Sequence, residues 1–411
     1  MIEFIELISS MDARKKFFDV YSPELKTEII ETRNSLGRVT ASTILAPHSL
    51  PNFPRSTVDG YSLQASDSYG ASESLPVYLK MVGEVSMGAE PDFTVKPNQC
   101  AMIHTGGMLP KGTNAVVMVE NTQILKQDEI EVMRPVATGE NIVEVGEDIN
   151  FGEELIPAGK QIRESDIGGL MAMGITTLSV NQLPKVGIIS TGDEIISPEN
   201  ELSLGQVRDI NSYSLSAIVS RYGGIPQVYG IIPDEEETLH EIAQKALSEC
   251  EMVLITAGSS VSYRDITSLV INKLGKPGVL VHGVNIRPGK PTILSVCKGK
   301  PVIGLPGNPV SALVIAKLFV VPIMERLLGI TYKNPTATIT AELSVNLSSQ
   351  SGREDWIPVR IVTNKQSKYK AEPVFGKSNL IFTLVKSDGL VRISPEDTGI
   401  SAGEHVEVIL L

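Results

Sequence analysis

From about residue 183 the chain alternates short apolar runs with segments of helical length, and this rhythm limits its possible folds more than any other feature. Val186-Gly187-Ile188-Ile189-Ser190, Val228-Tyr229-Gly230-Ile231-Ile232, Met252-Val253-Leu254-Ile255-Thr256 and Pro301-Val302-Ile303-Gly304 read as strands. Between them, helices are expected from Asn211 as a cap to Gly223-Gly224, from Glu235 to about Ser248, and near Thr267–Leu274. A long helix is expected after Asn308-Pro309. Strand and helix alternating at this spacing imply βαβ units and a parallel sheet.

The flanking segments follow other rules. Helix is expected over the first 40 residues, first around Asp12–Phe17 and again after Ser22-Pro23, a cap followed by proline. From 45 to 140 the apolar runs are cut by Pro and Gly, so Leu75–Leu79 and Ala115–Val119 read as strands. Residues 141–180 carry turn chemistry and are expected to rejoin the first segment. After Pro335 alternating β returns, over Thr336–Leu347, Trp356–Val362, Leu390–Ile393 and His405–Leu410. The expected organisation is multidomain α/β and β: a helical and extended part (1–44 with 141–180), an inserted β domain (45–140), an α/β domain (181–328) and a small C-terminal β domain (329–411).

Composition removes several classes. The chain has 36 Lys+Arg and 48 Asp+Glu, a net charge of −12, which argues against coating nucleic acid. Three distant cysteines, Cys100, Cys250 and Cys297, give no disulfide framework or CxxC site. The five histidines show no HxxxH or HExxH spacing, so zinc is not expected. No GxSxG, Walker A or GxGxxG string occurs. Early acids at Glu3 and Glu6 argue against a signal peptide. The most apolar stretch, near Ala312–Met324, is broken by Lys317 and Pro322. A cytoplasmic protein without a membrane span is expected.

Three loops following strands carry the candidate chemistry. They are Ser190-Thr191-Gly192-Asp193-Glu194, the stretch from Ala257 through Gly258, Ser259 and Ser260 to Asp265, and Leu305-Pro306-Gly307-Asn308-Pro309-Val310-Ser311. Ligands of open α/β sheets bind beyond the carboxyl ends of the strands. There Gly admits a phosphate close to the backbone, and Ser and Thr add donors. Any one loop is equally a plain βα turn; three on one sheet point to an anionic ligand. Asp193, Glu194, Asp234 and Asp265 all follow strands and could meet on one rim, where a hard cation would find carboxylate oxygens. Asp234 and Asp265 are equally helix caps. Arg287-Pro288-Gly289-Lys290-Pro291 offers two cations for an oxyanion, or else a solvated turn.

Several strings together resemble the MoeA family of molybdenum-insertion enzymes, to which the gephyrin E domain is similar. They are Ser56-Thr57-Val58-Asp59-Gly60-Tyr61, Thr105-Gly106-Gly107, Gly146-Glu147-Asp148, Ser190–Glu194, Gly205–Asn211, Pro288–Pro291, Gly304–Ala312, Gly376-Lys377-Ser378 and Asp388-Gly389-Leu390. They run in family order across nearly the whole chain.

The resemblance implies a MogA-like molybdopterin-binding α/β domain within the four-part organisation, and a homodimer whose cleft joins the α/β domain of one subunit to the inserted domain of the other. The implied reaction converts adenylylated molybdopterin and molybdate, with Mg²⁺, to molybdenum cofactor and AMP. By resemblance Asp59, Thr105, Glu194, Asp265 and Lys290 are catalytic, with Asp59, Glu194 and Asp265 as Mg²⁺ ligands. Asp148, Thr191, Gly192, Asp234, Arg287, Arg353 and Ser378 join the anion loops in binding substrate. A molybdopterin adenylyltransferase is a possible donor partner.

Two departures from the family pattern stand out: Ser259-Ser260 where the family has Gly-Gly, and Gly283 with Arg287 where it often has two lysines. They leave tungstate beside molybdate as the oxyanion. A molybdopterin-binding scaffold without catalysis is the second reading, and an unrelated nucleotide-binding α/β enzyme, which leaves the Asp59 loop unexplained, is the third.

Overall fold

The computed structural model describes residues 7–126, 128–257, 261–332, 335, 337–363 and 368–411, with backbone alone at 261–265. The N-terminal helix α1 spans Ser10–Val20. Ser9 caps it by accepting the Asp12 amide at 3.0 Å, and Ala13 and Phe17, four residues apart, are buried on one face. The second helix expected after Ser22-Pro23 does not form. Thr27–Glu31 is instead a strand, pairing antiparallel with Thr177–Asn181. Its β-branched residues at Thr27, Ile29 and Ile30 suit a pleated edge better than a helix.

Two compact units divide the chain: Thr43–Pro157 with Glu164–Thr176 form one, and Met1–Ser42, Ala158–Arg163 and Thr177–Leu411 the other. The smaller unit holds a six-stranded sheet of β1 (Gly60–Leu63), β2 (Val77–Glu84), β3 (Gln99–Ile103), β4 (Ala115–Met118), β5 (Thr122–Lys126) and β6 (Glu129–Val132) in the order β4-β1-β3-β2-β6-β5. Only the β2–β3 pair is parallel. The strand expected from Leu75 begins at Val77, because Pro76 has no N–H for the ladder. Tyr61, Leu63, Leu79, Val117 and Ile130 form the core.

In the larger unit, β7 (Lys185–Thr191), β8 (Ile225–Ile232), β9 (Met252–Ala257), β10 (Pro277–His282), β11 (Ile293–Cys297) and β12 (Lys300–Pro306) form a sheet in the order β8-β7-β9-β12-β11-β10. The first four strands are parallel, as the alternation requires. The last two run antiparallel, an addition to the expected parallel sheet. No helix separates β10, β11 and β12 in sequence, so none could carry a parallel crossover.

Adjacent residues of β7 bury on opposite faces. Ile188 packs with Leu215, Leu254 and Phe319, and Ile189 with Ala243, Ile255 and Ile271. The covering helices are α2 (Asn211–Arg221), α3 (Glu236–Glu249), α4 (Val261–Leu274), α5 (Pro309–Ile315) and α6 (Val321–Leu327). Asn211 does not cap α2 as expected. Asp209 does, accepting the Ser212 amide at 3.1 Å. The long helix expected after Asn308 is interrupted by a π-turn over Ala316–Val320, where the Val321 amide donates to the Ala316 carbonyl. Pro322 cannot donate to the residue-318 carbonyl and crowds it, which favours the wider turn.

The C-terminal strands β13 (Thr338–Leu343), β14 (Glu354–Thr363), β15 (Tyr369–Pro373), β16 (Gly389–Ile393) and β17 (His405–Leu410) close on themselves, because β14 pairs with both β15 and β16. Val359, Ala371, Val391, Ile393 and Val408 fill this small barrel. The edge of β14 also pairs in parallel with Ile286–Arg287. Among the described residues no helix is long and apolar enough to cross a membrane.

Candidate active site

The ends of the parallel neighbours β7 and β8 bring four of the expected site residues together. Thr191, opposite Ile232 in the register, and Gly192 are buried, while Asp193 and Glu194 turn outward. Gly192 has φ +151°, and a Cβ there would lie 2.9 Å from the Ile195 side chain and 3.0 Å from Glu194 Oε2; only glycine fits. The Asp234 amide donates to Asp193 Oδ1 at 3.2 Å. Burial pushes the Asp234 carboxyl above the usual carboxylate range; the Thr191 hydroxyl and Asp193 amide oppose this, and the charges of Asp193 and Glu194 add to it. Its Oδ2 is buried with no hydrogen-bond partner among the described residues. Gly258, Ser259 and Ser260 lie outside the described residues, as does the side chain of Asp265.

A cavity of about 770 Å³ gathers a second group. Arg287, Lys290, Arg353 and Lys377 border it, and no carboxylate does among the described residues. Pairing of Ile286–Arg287 with the start of β14 sets Arg287 beside the buried Asp355. Arg353 holds both Asp355 oxygens at 2.7 and 2.8 Å, and Arg287 stands 3.8 Å from the second. The fork is thus fixed by a carboxylate that is itself shielded from solvent. Gly289 has φ +117°, and a Cβ there would meet Ile315 at 2.4 Å, which explains the glycine between the two cations.

Pro306, Gly307, Asn308 and Ser311 border the same cavity, as does Ser378 from the barrel side. Asn308 donates to the Ser378 hydroxyl at 3.1 Å, and the Val310 amide to the Ser378 carbonyl at 3.1 Å. Eight expected residues therefore border one cavity: Arg287, Lys290, Pro306, Gly307, Asn308, Ser311, Arg353 and Ser378. Lys377 was missed, although it stands within the Gly376-Lys377-Ser378 string.

Beneath these loops lies a buried polar network that sequence reasoning also missed. The Ser190 hydroxyl meets Asp209 Oδ1 at 3.1 Å, Ser212 at 2.9 Å and Thr256 at 3.2 Å. Asn211 donates from Nδ2 to the Gly307 carbonyl at 2.8 Å, fastening the end of β12 to the start of α2. The string Arg208-Asp209-Ile210-Asn211 was the available signal.

In the smaller unit, the β1–β3 register sets Gly60 opposite Ile103, so the residues just beyond each strand meet. Asp59 Oδ1 accepts from the Thr105 amide at 2.8 Å and hydroxyl at 3.2 Å. His104 Nδ1 lies 3.5 Å from the same oxygen, and its Nε2 lies 3.1 Å from Glu84. The Thr105 amide, more than any other group, holds the exposed Asp59 carboxyl below its usual range. Asp59 and Thr105 are thus joined in one cluster, with His104 and Glu84 beside them. Asp148 is exposed in this unit, its amide bonded to the Leu50 carbonyl at 3.1 Å.

No group of three or more His, Cys, Asp or Glu among the described residues forms a ready-made metal cage. Mg²⁺ seldom needs one: it takes one or two carboxylates and completes its shell with water and substrate phosphates. The unpartnered Asp234 Oδ2, with Asp193 and Glu194 nearby, offers the hard oxygens that such an ion prefers.

Comparison with known proteins agrees along the chain. Residues 8–174 match the MoeA N-terminal region (domains I and II), residues 187–326 a probable molybdopterin-binding domain, and residues 340–411 the MoeA C-terminal region (domain IV). A putative molybdopterin biosynthesis protein of Methanocaldococcus jannaschii is 35% identical, covering 100% of this chain and 96% of that protein. A molybdopterin molybdenumtransferase of Nostoc sp. is 30% identical over 94% of this chain and 89% of its own. The crystal structure of a molybdopterin biosynthesis MoeA protein from Pyrococcus horikoshii superposes with a TM-score of 0.86 at 32% identity, covering 99% of this chain and 100% of that one. The chain belongs to the MoeA family, which serves molybdenum-cofactor biosynthesis.

Proposed function

We propose that the chain is a molybdopterin molybdenumtransferase that inserts molybdenum from molybdate into adenylylated molybdopterin and releases AMP. The observation that carries this reading is the cavity bordered by the four cations Arg287, Lys290, Arg353 and Lys377, with no carboxylate among the described residues that line it. A tetrahedral dianion and a phosphorylated pterin both need such a wall. Arg353, oriented by Asp355, presents a fixed guanidinium. Arg287 and Lys290 add charge, and the Ser378 hydroxyl adds a donor. Held in place before reaction, these groups stabilise anionic oxygens without reorganising.

Asp234, Glu194 and Asp193, at the ends of β7 and β8, would hold Mg²⁺. Bound there, Mg²⁺ would supply charge neutralisation to the diphosphate of the substrate. Water cleaves the P–O–P link, leaving one phosphate on the pterin and the other on the departing AMP. Asp59, oriented by Thr105 and His104, works in the homodimer from the second subunit's smaller unit. Mixing Asp59→Ala and Lys290→Ala chains tests this, since hybrid dimers regain one intact site.

The decisive assay incubates the chain with adenylylated molybdopterin and Mg²⁺, with molybdate or tungstate in separate arms, and reads AMP. Release with molybdate is expected. Release with tungstate alone would transfer the reading to that oxyanion. No release with either would leave a molybdopterin-binding scaffold.

A further inference from the structure

The four cations answer an oxyanion and leave part of the cavity's border unexplained. Ile357 and Pro358 of β14, with Val374 and Phe375 just after β15, also border it. A tetrahedral metal oxide makes no use of an apolar border, whereas the organic part of a ligand does. Ile357, Pro358 and Val374 are buried or half-buried. Phe375 differs, because 72% of it is exposed. The barrel core does not hold it; Val359, Ala371, Val391, Ile393 and Val408 fill that space. Leu380, Phe382 and Val385 are exposed apolar side chains close by in sequence, and none of them borders the cavity.

The chain on either side of Phe375 is fastened. The Val374 amide donates to the Pro358 carbonyl at 2.8 Å, which carries the β14–β15 pairing one step past the end of β15. Ser378 is held by Asn308 and by the Val310 amide. Between these anchors, a Cβ at Gly376 would lie 2.1 Å from Thr383 Oγ1, so the backbone passes too close to Thr383 for a side chain. A short, fixed segment therefore sets Phe375 and, two residues on, the cation Lys377 at the same cavity.

We propose that Phe375 is a specificity-determining residue whose ring stacks on a heteroaromatic ring of the substrate while the cations hold its anionic groups. This rests on the insertion reading, which supplies a substrate with two such rings, the pterin and the adenine. Stacking of a base on an aromatic side chain is worth about tenfold in affinity or more. A phenyl ring has few rotamers to lose on contact, so ordering it costs little. The ring thus lets the cavity distinguish a phosphate joined to a flat ring from one that is not.

The test is isothermal titration calorimetry on the full chain, with AMP, molybdopterin, ribose 5-phosphate and molybdate as separate probes. Ribose 5-phosphate is AMP without its base. Phe375→Ala is expected to weaken AMP, molybdopterin or both by about tenfold, with ribose 5-phosphate and molybdate unchanged. The probe that loses affinity identifies the ring. Phe375→Trp should restore binding, and Phe375→Leu, apolar without a flat face, should not. Near-UV circular dichroism verifies that each variant remains folded. A parent chain that binds molybdate and neither ring-bearing probe overturns the proposal, as does a Phe375→Ala chain that binds both like the parent. Equal loss for ribose 5-phosphate or molybdate overturns it too, since the defect then belongs to the anion site. Restoration by leucine overturns the stacking role. AMP release is not among these readouts. A chain that binds rings through Phe375 and releases no AMP keeps this inference and loses the insertion reading; a chain that releases AMP with Phe375→Ala binding like the parent does the reverse.

Discussion

Arg353 grips Asp355 through two hydrogen bonds of 2.7 and 2.8 Å, and the carboxylate it grips is wholly buried. The guanidinium is partly exposed, with 22% of its side chain accessible. Asp355 therefore acts on the cavity through the orientation it gives Arg353.

Replacing Asp355 with alanine should cost about 3–5 kcal/mol, the usual loss when one member of a buried ion pair is removed. Urea unfolding measures it. Asp355→Asn keeps the shape and loses the charge, so it should unfold less easily than the alanine variant while still binding molybdate more weakly than the parent.

Asp59 yields a prediction about acid. Its folded carboxyl is held below the ordinary value, chiefly by the Thr105 amide. A depressed carboxyl stabilises the fold above its unfolded pKa and loses that contribution as pH falls through the folded value. The parent should therefore lose stability below about pH 4 more steeply than Asp59→Asn. Thermal melts between neutrality and acid compare the two slopes. Insertion activity should vanish in the variant at every pH.

The sign is opposite at Asp234, whose carboxyl is raised by burial. Its ionised form is disfavoured by the fold, so the deficit exists above the unfolded pKa and disappears on acidification. Without divalent cations, Asp234→Asn should melt at the same temperature as the parent or higher at neutral pH. The parent should gain from added Mg²⁺ and the variant should not. A parent that melts well above the variant in chelator would contradict this account of the rim.

Gly289→Ala places a Cβ 2.4 Å from Ile315 at a backbone φ of +117°. Strain of this kind costs about 1–3 kcal/mol. The fold should survive, with a lowered unfolding midpoint. Molybdate affinity should fall further than the stability loss alone suggests, because Arg287 and Lys290 flank the distorted residue. Equilibrium dialysis with molybdate separates the two effects.

The strand–helix rhythm after residue 183 was legible because parallel strands buried on both faces are largely apolar, as Met252–Ile255 are within Met252–Ala257. The two antiparallel strands were not. Pro277–His282 begins with proline and contains Gly278, and local pattern cannot disclose a partner supplied by the sheet. The failed helix after Ser22-Pro23 shows a good local cap overruled by pairing with Thr177–Asn181, about 150 residues away by the register. At the site, glycine-rich loops and cations could be read from residue type. Asp355 could not: nothing in Glu354-Asp355-Trp356 distinguishes a buried orienting carboxylate from one facing water. His104 fell to the same difficulty, since its partners Asp59 and Glu84 come from two other strands' ends.

The barrel is closed by β14, and the beginning of that strand also carries the pairing to Ile286–Arg287. The orientation of the cavity's two guanidinium groups is therefore inherited from the closure of the barrel. Substitutions inside the barrel that relax its closure should loosen Arg287 and Arg353 in step, degrading selectivity from a distance while every loop around the ligand keeps its native sequence.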